Sequence, residues 1–358
     1  MTTQIMNARK KLAIVLFNLG GPDRLESIRP FLLNLFRDPA ILRVPFFIRR
    51  PLARWITRNR LAASTANYAL IGGKSPLLDF STHQAEALAA ALPEFDTKCI
   101  IAMRYWHPFT DAAVDAVKEY QPDEILLLPL YPHYSTTTTA SSLTAWRKYA
   151  ARAGLAIRTT TVCCYPDDPN YITAVATLLR QTLQDARVAH SEQENWKILF
   201  SAHGLPESII KSGDPYQHQI SRTAQSILAI LGEDVDWTVC YQSRVTRVKW
   251  LTPSTEDEIR RAGQGGAGVI VVPIAFVSDH SETLVELDIE YFHLAQQSGV
   301  PAYYRVPVPN DFPPFIAALA ALARQAVAHG PGLCAATPGK ICPLAHTQCP
   351  HHLSRATS

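Results

Sequence analysis

The chain contains Ile198-Leu-Phe-Ser-Ala-His203-Gly-Leu-Pro206 and, later, Pro273-Ile-Ala-Phe-Val-Ser-Asp279-His280-Ser-Glu282-Thr-Leu-Val-Glu286-Leu-Asp-Ile-Glu290-Tyr291, and these two stretches decide its fold class. Each begins as a short apolar run typical of a buried strand and passes into polar residues at the start of a helical stretch. In open α/β sheets, ligands bind just beyond the carboxyl ends of the strands. A histidine and a series of carboxylates are therefore expected at the edge where a ligand binds.

Working outward, apolar strand-like runs alternate with helical stretches along the chain. The predicted strands cover 12–19, 99–105, 124–131, 157–165, 197–202, 237–242, 269–276 and 302–308. Apolar strands that alternate with helices are typical of parallel sheets covered on both faces, and this run is too long for one small sheet. We predict an α/β fold with two Rossmann-like, doubly wound domains.

The predicted boundary between these domains follows the helical stretch 140–150. The N-terminal domain is expected over 1–152 and the C-terminal domain, with His203 and Glu282, over 153–313. A closing helix is predicted over 314–330 and a Cys/His-rich tail over 331–358. With 358 residues, the chain has enough length for two cores.

Composition excludes several classes of protein. Hydrophobic residues make up 47% and charged residues 18%, and the net charge of +3 is too small to indicate nucleic acid binding. The first residues do not form a signal-peptide pattern, and no apolar run reaches the eighteen or so residues that span a membrane. We expect a cytoplasmic protein.

The predicted site combines metal-binding and proton-accepting groups. Glu282, Glu286 and Glu290 follow one another at a spacing of one helical turn, where like charges repel by about 0.2–0.5 kcal/mol per pair. A bound cation would relieve this repulsion, although a solvated acidic face would show the same spacing. His203, next to a glycine at a strand end, could bind a metal or accept a proton.

Other strand ends add aromatic and basic residues to the same rim. They are Asn18-Leu-Gly-Gly-Pro22, Arg104-Tyr-Trp-His-Pro108, Tyr131-Pro-His-Tyr-Ser135 and Tyr241-Gln-Ser-Arg244. Together they indicate a wide cleft for a large, flat, partly anionic ligand. The stretch 31–56 mixes Phe46, Phe47 and Trp55 with arginines; it fits an anionic lipid surface, a flat acidic ligand or an ordinary core helix with a basic face.

These motifs resemble the ferrochelatase family, over about residues 14–328. Besides the segments above, the resemblance includes Thr138-Thr-Ala-Ser-Ser-Leu143, Gly213-Asp-Pro-Tyr216 and Trp250-Leu-Thr-Pro-Ser-Thr255. It implies two Rossmann-like domains that enclose a porphyrin cleft, and insertion of ferrous iron into protoporphyrin IX to form protohaem. The Asn18 motif looks more like enzymes that use protoporphyrin than like the coproporphyrin branch. One departure is Thr246-Arg247, where the family commonly has Gly-Pro.

The resemblance also implies roles for individual residues. His203 and Glu282 would form the iron site, and Glu286, Glu290 and Asp279 would form a path for protons or metal on a helix with π-type widening. Leu19, Arg104, Tyr105 and Tyr131 would lie near the porphyrin, and 31–56 would form an apolar lip with peripheral contact to the inner face of the membrane. Whether His203 is the base or an iron ligand stays open, and so does the oligomeric state.

The tail contains Cys334, Cys342 and Cys349, three of the seven cysteines. The resemblance implies a possible [2Fe–2S] cluster held by these three and one upstream ligand, since four thiolates are usual. Cys163, Cys164 or a histidine would have to be the fourth. A different bound metal and a disordered tail are the other two readings.

Two alternative functions stay open at this point. One is a chelatase for another tetrapyrrole or metal, such as cobalt. The other is a catalytically silent haem- or iron-binding protein with a redox-sensing tail, which loss of His203 or Glu282 would have favoured. Both residues are present.

Overall fold

The computed structural model describes residues 9–243, 248–336 and 342–353. Arg244 of the fourth rim motif and the departure at Thr246-Arg247 lie outside these residues. The strands are β1 (Lys11–Asn18), β2 (Asp96–Met103), β3 (Glu124–Pro129), β4 (Thr159–Val162), β5 (Trp196–His203), β6 (Asp236–Gln242), β7 (Gly268–Pro273), β8 (Tyr303–Arg305) and β9 (Gly332–Cys334). All eight predicted strands are confirmed, and β9 is an addition.

Twelve α-helices and one π-helix accompany the strands in the described part of the chain. They are α1 (Ile28–Arg37), α2 (Phe46–Leu70), α3 (Leu77–Ala90), α4 (Thr110–Tyr120), α5 (Thr139–Arg152), α6 (Pro169–Ala189), α7 (Glu207–Lys211), α8 (Tyr216–Leu231), α9 (Thr255–Gln264), the π-helix (Glu282–Glu290), α10 (Tyr291–Gln297), α11 (Pro313–His329) and α12 (Pro350–Leu353). A 3₁₀ turn, Leu25–Ser27, precedes α1.

The strands form two parallel sheets, as the apolar runs predict. The first has the order β2-β1-β3-β4-β9 and the second β6-β5-β7-β8. In β1 the alternate residues Ala13, Val15 and Phe17 pack against α4 and α5, whereas Leu12, Ile14 and Leu16 face α3 and α11. Both faces of the strand are buried, which explains why its apolar run is nearly continuous.

The division between the two sheets falls between β4 and β5. This is later in the chain than the predicted boundary at 152/153, because Thr159–Val162 pairs with β3 and so belongs to the first sheet. The predicted closing helix corresponds to α11, which packs against α6 and α3 and joins one core that reaches both sheets. Within the predicted tail, β9 pairs with β4 and extends the first sheet.

The predicted lip 31–56 divides into two parts. Phe31, Leu32 and Phe36 of α1 are buried, and they form an ordinary core face. The start of α2 is different, because Phe46, Phe47 and Trp55 are 62%, 75% and 63% exposed. Among the described residues, no helix is both long and apolar enough to cross a membrane.

Candidate active site

His203 is the last residue of β5, in the middle of the second sheet. Its neighbour Gly204 allows the chain to turn tightly, because a Cβ there would lie 2.8 Å from the carbonyl oxygen of Gln242. The hydroxyl of Tyr216, at the start of α8, donates to the His203 carbonyl at 3.1 Å. The backbone of His203 is therefore fixed at the carboxyl edge of the sheet, the position that the sequence predicts for it.

The acidic series lies on the π-helix that follows β7. The sequence alone indicates an ordinary helix here, and the resemblance adds the π-type widening; the structure confirms that widening over Glu282–Glu290. Such helices are rare and are often found at functional sites. Thr283, Val285 and Leu287 are buried, whereas Glu282 and Glu286 are half-buried and Glu290 is exposed.

Glu282 joins two histidines. Nδ1 of His203 lies 3.1 Å from Oε2 of Glu282, and Nε2 of His280 lies 3.5 Å from the same oxygen. An ionised carboxylate only accepts hydrogen bonds, so Nδ1 of His203 carries the proton and its Nε2 is left to accept a proton or bind a metal. His280 is oriented by a 3.1 Å hydrogen bond from its Nδ1 to the Ser278 carbonyl.

The pKa values of this pair move apart. Burial alone would lower the pKa of His203, but the charge of Glu282 and the hydrogen bond to it raise that pKa above its ordinary value. Burial alone would raise the pKa of Glu282, but His203 and His280 together lower it well below its usual range. Glu282 is therefore ionised throughout the physiological range, and its charge favours the protonated form of His203.

Glu286 is held differently. It accepts hydrogen bonds from Gln242 Nε2 at 3.0 Å, from the Ser243 amide at 2.9 Å and from the Tyr291 hydroxyl at 3.0 Å. Burial and the charge of Glu282 nevertheless raise its pKa. Neighbouring carboxyls with pKa values shifted in opposite directions suit proton transfer. Glu290, farther along, contacts Asn67 of α2 at 3.4 Å.

Asp279 does not belong to this acidic series. Its carboxylate accepts from Thr283 Oγ1 at 2.7 Å and from Asn310 Nδ2 at 2.8 Å, and it pairs with Arg305 at 3.3 Å. These contacts belong to the turn that precedes the π-helix. The structure therefore brings together His203, Glu282 and Glu286 but gives Asp279 a separate set of partners.

Of the predicted cleft residues, Arg104 and Tyr105 converge on Asp38, a residue that the sequence did not single out. Asp38 pairs with Arg104 Nη2 at 2.7 Å and accepts from the hydroxyls of Tyr105 and Ser141 at 2.8 and 2.5 Å. Tyr105 is buried, which together with Asp38 raises its pKa well above the ordinary value.

Leu19 and Tyr131 are both half-buried. Leu19 packs against the core around α1 and α2, and Tyr131 against the core around α4 and α5. Arg104 keeps 25% of its side chain exposed, so it is the member of this predicted set with a charged group open to a ligand.

The second half of α2, which packs against α1, approaches the acidic residues of the π-helix. Burial lowers the pKa of Arg60, and the negative charges of Glu282 and Glu286 act against that shift. The Tyr68 hydroxyl accepts from Ser281 at 3.4 Å. The sequence did not single out Arg60, although it follows buried Ile56 by one helical turn and so shares its inward face.

A second cluster of chemistry-bearing residues lies apart from this site. Four buried thiols, those of Cys163, Cys164, Cys342 and Cys349, pack together beside Tyr134. Sγ of Cys163 lies 3.2 Å from that of Cys164 and 3.3 Å from Nε2 of His351.

Cys334 is not a member of this cluster. Its thiol donates to the Thr161 carbonyl at 3.5 Å, and it packs in the neighbouring main core. Within the described ranges, no group of three or more Cys, His, Asp or Glu side chains is arranged to hold a metal ion.

Comparison with known proteins gives one consistent result. The family model described as Ferrochelatase matches residues 11–327. The ferrochelatases of Caulobacter vibrioides and Phenylobacterium zucineum are each 50% identical to this chain, over 95% and 92% of its length and 97% of theirs. That of Hyphomonas neptunium is 44% identical over 95% of both chains.

Among solved structures, SirB from Bacillus subtilis with Fe3+ covers 89% of this chain and 96% of its own, with a TM-score of 0.52 and 12% identity. The same protein has been solved as a sirohydrochlorin chelatase in complex with cobalt. At this low identity the likeness shows the two-sheet fold alone.

Proposed function

This chain belongs to the ferrochelatase family, and on that premise we propose that it inserts ferrous iron into protoporphyrin IX to form protohaem. The observation that carries the proposal is the hydrogen-bonded pair of His203 and Glu282 at the carboxyl edge of the second sheet. The comparisons do not favour the other two functions considered from the sequence, since relatives at 43–50% identity are ferrochelatases.

The reaction releases two protons. Each porphyrin carries two pyrrole N–H groups, and Fe²⁺ replaces both protons, so a base must accept them near the metal. Nε2 of His203 is suited to this task because its Nδ1–H is held by Glu282. The same nitrogen could instead bind Fe²⁺ before transfer, with Glu282 as a second ligand. Both roles fit the geometry.

Glu282 and Glu286 offer a route away from the reacting centre. Glu282 stays ionised and holds the imidazolium that forms when His203 takes a proton. Glu286, whose pKa is raised, accepts a proton more readily than Glu282 does. We assign Glu290 to the outer part of this route because it is exposed, and Arg104 and Tyr131 to the porphyrin side of the cleft.

The test of this function is anaerobic incubation of the purified chain with protoporphyrin IX and Fe²⁺, or Zn²⁺ as a redox-stable probe, followed by absorbance. We expect the porphyrin bands to be replaced by those of the metalloporphyrin. Absence of product with either metal would refute the proposal and favour a binding protein.

We also propose that the start of α2 contacts a membrane surface. Phe46 and Phe47 are exposed beside Arg50, whose guanidinium lies 4.6 Å from the Phe46 ring. Exposed aromatic rings with neighbouring cations suit the interface of an anionic bilayer. This position would let an apolar porphyrin pass between bilayer and cleft.

The double variant Phe47→Ser/Trp55→Ser should bind vesicles containing anionic lipid at least about tenfold more weakly, since burying one large apolar side chain contributes about 1.5–3 kcal/mol. Vesicle co-sedimentation at low and high salt measures this. Val188→Ser, which changes an 84% exposed side chain on α6, is the control and should bind normally. Equal binding by the wild type and the double variant would contradict the membrane assignment.

We propose that the four buried thiols, which pack together but are not arranged to hold a metal ion in this structure, are the ligands of a [2Fe–2S] cluster. Such a cluster takes four thiolates and supplies one-electron redox chemistry. The hydrogen bond from Cys342 lowers the pKa of Cys349, which favours the thiolate form that binds metals. We propose Cys163, Cys164, Cys342 and Cys349 as the ligands, with Cys334 outside the set.

Two serine variants distinguish this assignment from the one that uses all three tail cysteines and one upstream ligand. Cys349→Ser should lose the cluster, whereas Cys334→Ser should keep it, because the Cys334 thiol bonds to a backbone carbonyl. The measurements are iron and sulfide content and the absorption spectrum of anaerobically purified protein. Loss of iron and sulfide in Cys334→Ser would contradict the proposal. A wild type that holds no sulfide, and in which the thiols of the four proposed ligands are all titratable, would contradict it as well.

A further inference from the structure

Gln84 is a fully buried amide that links the first half of the chain to the second. It lies on α3, which packs on the first sheet. Its Nε2 donates to the carbonyl of Val277 at 3.0 Å and to that of Asn310 at 2.8 Å, and its Oε1 accepts from Ser278 Oγ at 3.1 Å. Both amide hydrogens and the amide oxygen are therefore used, and all three bonds go to one segment beyond β7 and its partner loop.

The residues that Gln84 holds lead directly to the active site. The Ser278 carbonyl accepts the hydrogen bond that orients His280. Asn310, with a left-handed φ of 44°, accepts from the Asp279 amide at 2.9 Å and donates to its carboxylate. His280 in turn faces Glu282. A continuous series of hydrogen bonds and contacts thus connects α3 to the first carboxylate of the π-helix.

We propose that Gln84 is a positioning residue for metal insertion. By fixing Val277, Ser278 and Asn310 to α3, it sets the place of the His280–Glu282 turn relative to His203 on β5. The inference rests on the proposed function, because it concerns the geometry of the same metal site. Its three hydrogen bonds among the described residues do not go to His203, Glu282 or Glu286, so its effect on the reacting groups is indirect.

The expected size of the effect follows from the bonds involved. Removal of the amide takes a hydrogen-bond donor from the carbonyls of Val277 and Asn310 and an acceptor from the buried hydroxyl of Ser278, which favours movement of the segment toward other partners. Movement of the turn shifts Glu282, and displacements near 1 Å can lower rates by about 100-fold. Within the described part of the chain, the hydrogen bonds of Gln84 go to Val277, Ser278 and Asn310 and not to the porphyrin side of the cleft, so the affinity for porphyrin should be kept.

The test compares Gln84→Met, which keeps the length but makes no hydrogen bonds, with Ser278→Ala, which removes one bond only. Zn²⁺ insertion is measured well below the melting temperature, together with porphyrin binding by fluorescence. Gln84→Met should lower kcat by about 10- to 100-fold with KM for protoporphyrin unchanged. Ser278→Ala should also lower kcat without changing KM, but by a smaller factor. The metal site should also change without porphyrin, seen as an altered spectrum of bound Co²⁺.

Thr160→Val is the control for lost buried hydrogen bonds. Its hydroxyl donates to the Gly330 carbonyl at 2.8 Å and contacts Glu124 at 3.2 Å, at the amino end of the first sheet. This variant should melt earlier but insert Zn²⁺ at the normal kcat. If Gln84→Met also melts earlier but inserts Zn²⁺ at the normal kcat, Gln84 only stabilises the contact between the two halves of the chain, and the inference is wrong.

The remaining outcomes also decide the matter. A rise in KM for protoporphyrin that parallels the fall in kcat would mean that the whole cleft is disturbed, and it would overturn the positioning role. If Gln84→Met does not fold, Ser278→Ala decides alone, and normal kcat in that variant overturns the inference. A wild-type chain that inserts no metal refutes the proposed function, whereas an active wild type beside a fully active Gln84→Met refutes only the role of Gln84.

Discussion

His203→Ala should lower the rate of metal insertion by at least about 100-fold, because a positioned general base contributes about 10²–10⁴-fold. The variant should still fold and bind protoporphyrin, since His203 keeps a third of its side chain exposed and its backbone is held by Tyr216. The measurement is anaerobic Zn²⁺ insertion, with porphyrin binding followed separately by fluorescence. Full activity in this variant would remove His203 from the site.

The same variant separates the two roles left open for His203. If the imidazole is an iron ligand, His203→Ala should bind Co²⁺ more weakly in the absence of porphyrin. If it is only the base, Co²⁺ binding should be unchanged while insertion fails. His293→Ala, on α10 beyond the π-helix, is the matched control; its imidazole contacts Gln296 at 3.4 Å and the ring of Phe292 at 5.9 Å between centroids, and insertion should proceed normally.

Much of this architecture was predictable because it depends on local pattern. The apolar runs of β1, β5 and β7 are buried on both faces, and that burial is what makes them nearly continuous in the sequence. The carboxyl edge of a parallel sheet then places His203 and the start of the π-helix together without further information. Both features survive in the structure as predicted.

The parts that were missed depend on contacts between distant segments. Gln84 bonds to Asn310 across 226 residues, and nothing in the local sequence of α3 marks it. Asp38 lies in a turn after α1, yet it collects Arg104, Tyr105 and Ser141 from later elements. The partners of Gln84 and Asp38 depend on the tertiary structure, since a buried polar group needs a hydrogen-bond partner from whichever element lies nearest.

The tail shows the same limit in a different form. The resemblance implied that Cys334, Cys342 and Cys349 act together with one upstream ligand. Pairing of β9 with β4 instead directs Cys334 to a backbone carbonyl and brings the rest of the tail to Cys163 and Cys164. A strand of three residues, Gly332–Cys334, was too short to predict from composition.

Glu282→Gln should lower kcat by about 100-fold or more while keeping the shape of the site. The amide has the size of the carboxylate but no charge, so it cannot stabilise the imidazolium that forms when His203 accepts a proton. Zn²⁺ insertion kinetics measure the loss. Glu256→Gln, at an exposed position on α9, is the control and should be fully active; near-normal rates for Glu282→Gln would exclude Glu282 from the mechanism.

The pH dependence of this variant gives a second, independent result. In the wild type, Glu282 raises the pKa of His203 against the effect of burial, so a higher pH is needed to free its Nε2. Without that charge, burial lowers the pKa of His203, and the acid limb of the rate profile should move to lower pH. Stability should change in the corresponding sense, because a raised histidine pKa stabilises the folded state at low pH and this contribution is lost as pH rises through that pKa.

The melting temperatures of wild type and Glu282→Gln should therefore differ more at pH 6 than at pH 9. Above the pKa of His203 the imidazole is neutral in both proteins, so at this contact they differ only in whether it donates to the ionised carboxylate of Glu282 or to an uncharged amide. A difference in melting temperature that is constant across this pH range would show that His203 and Glu282 do not form an ion pair in the folded protein. An acid limb that stays in place would show that some other group accepts the first pyrrole proton.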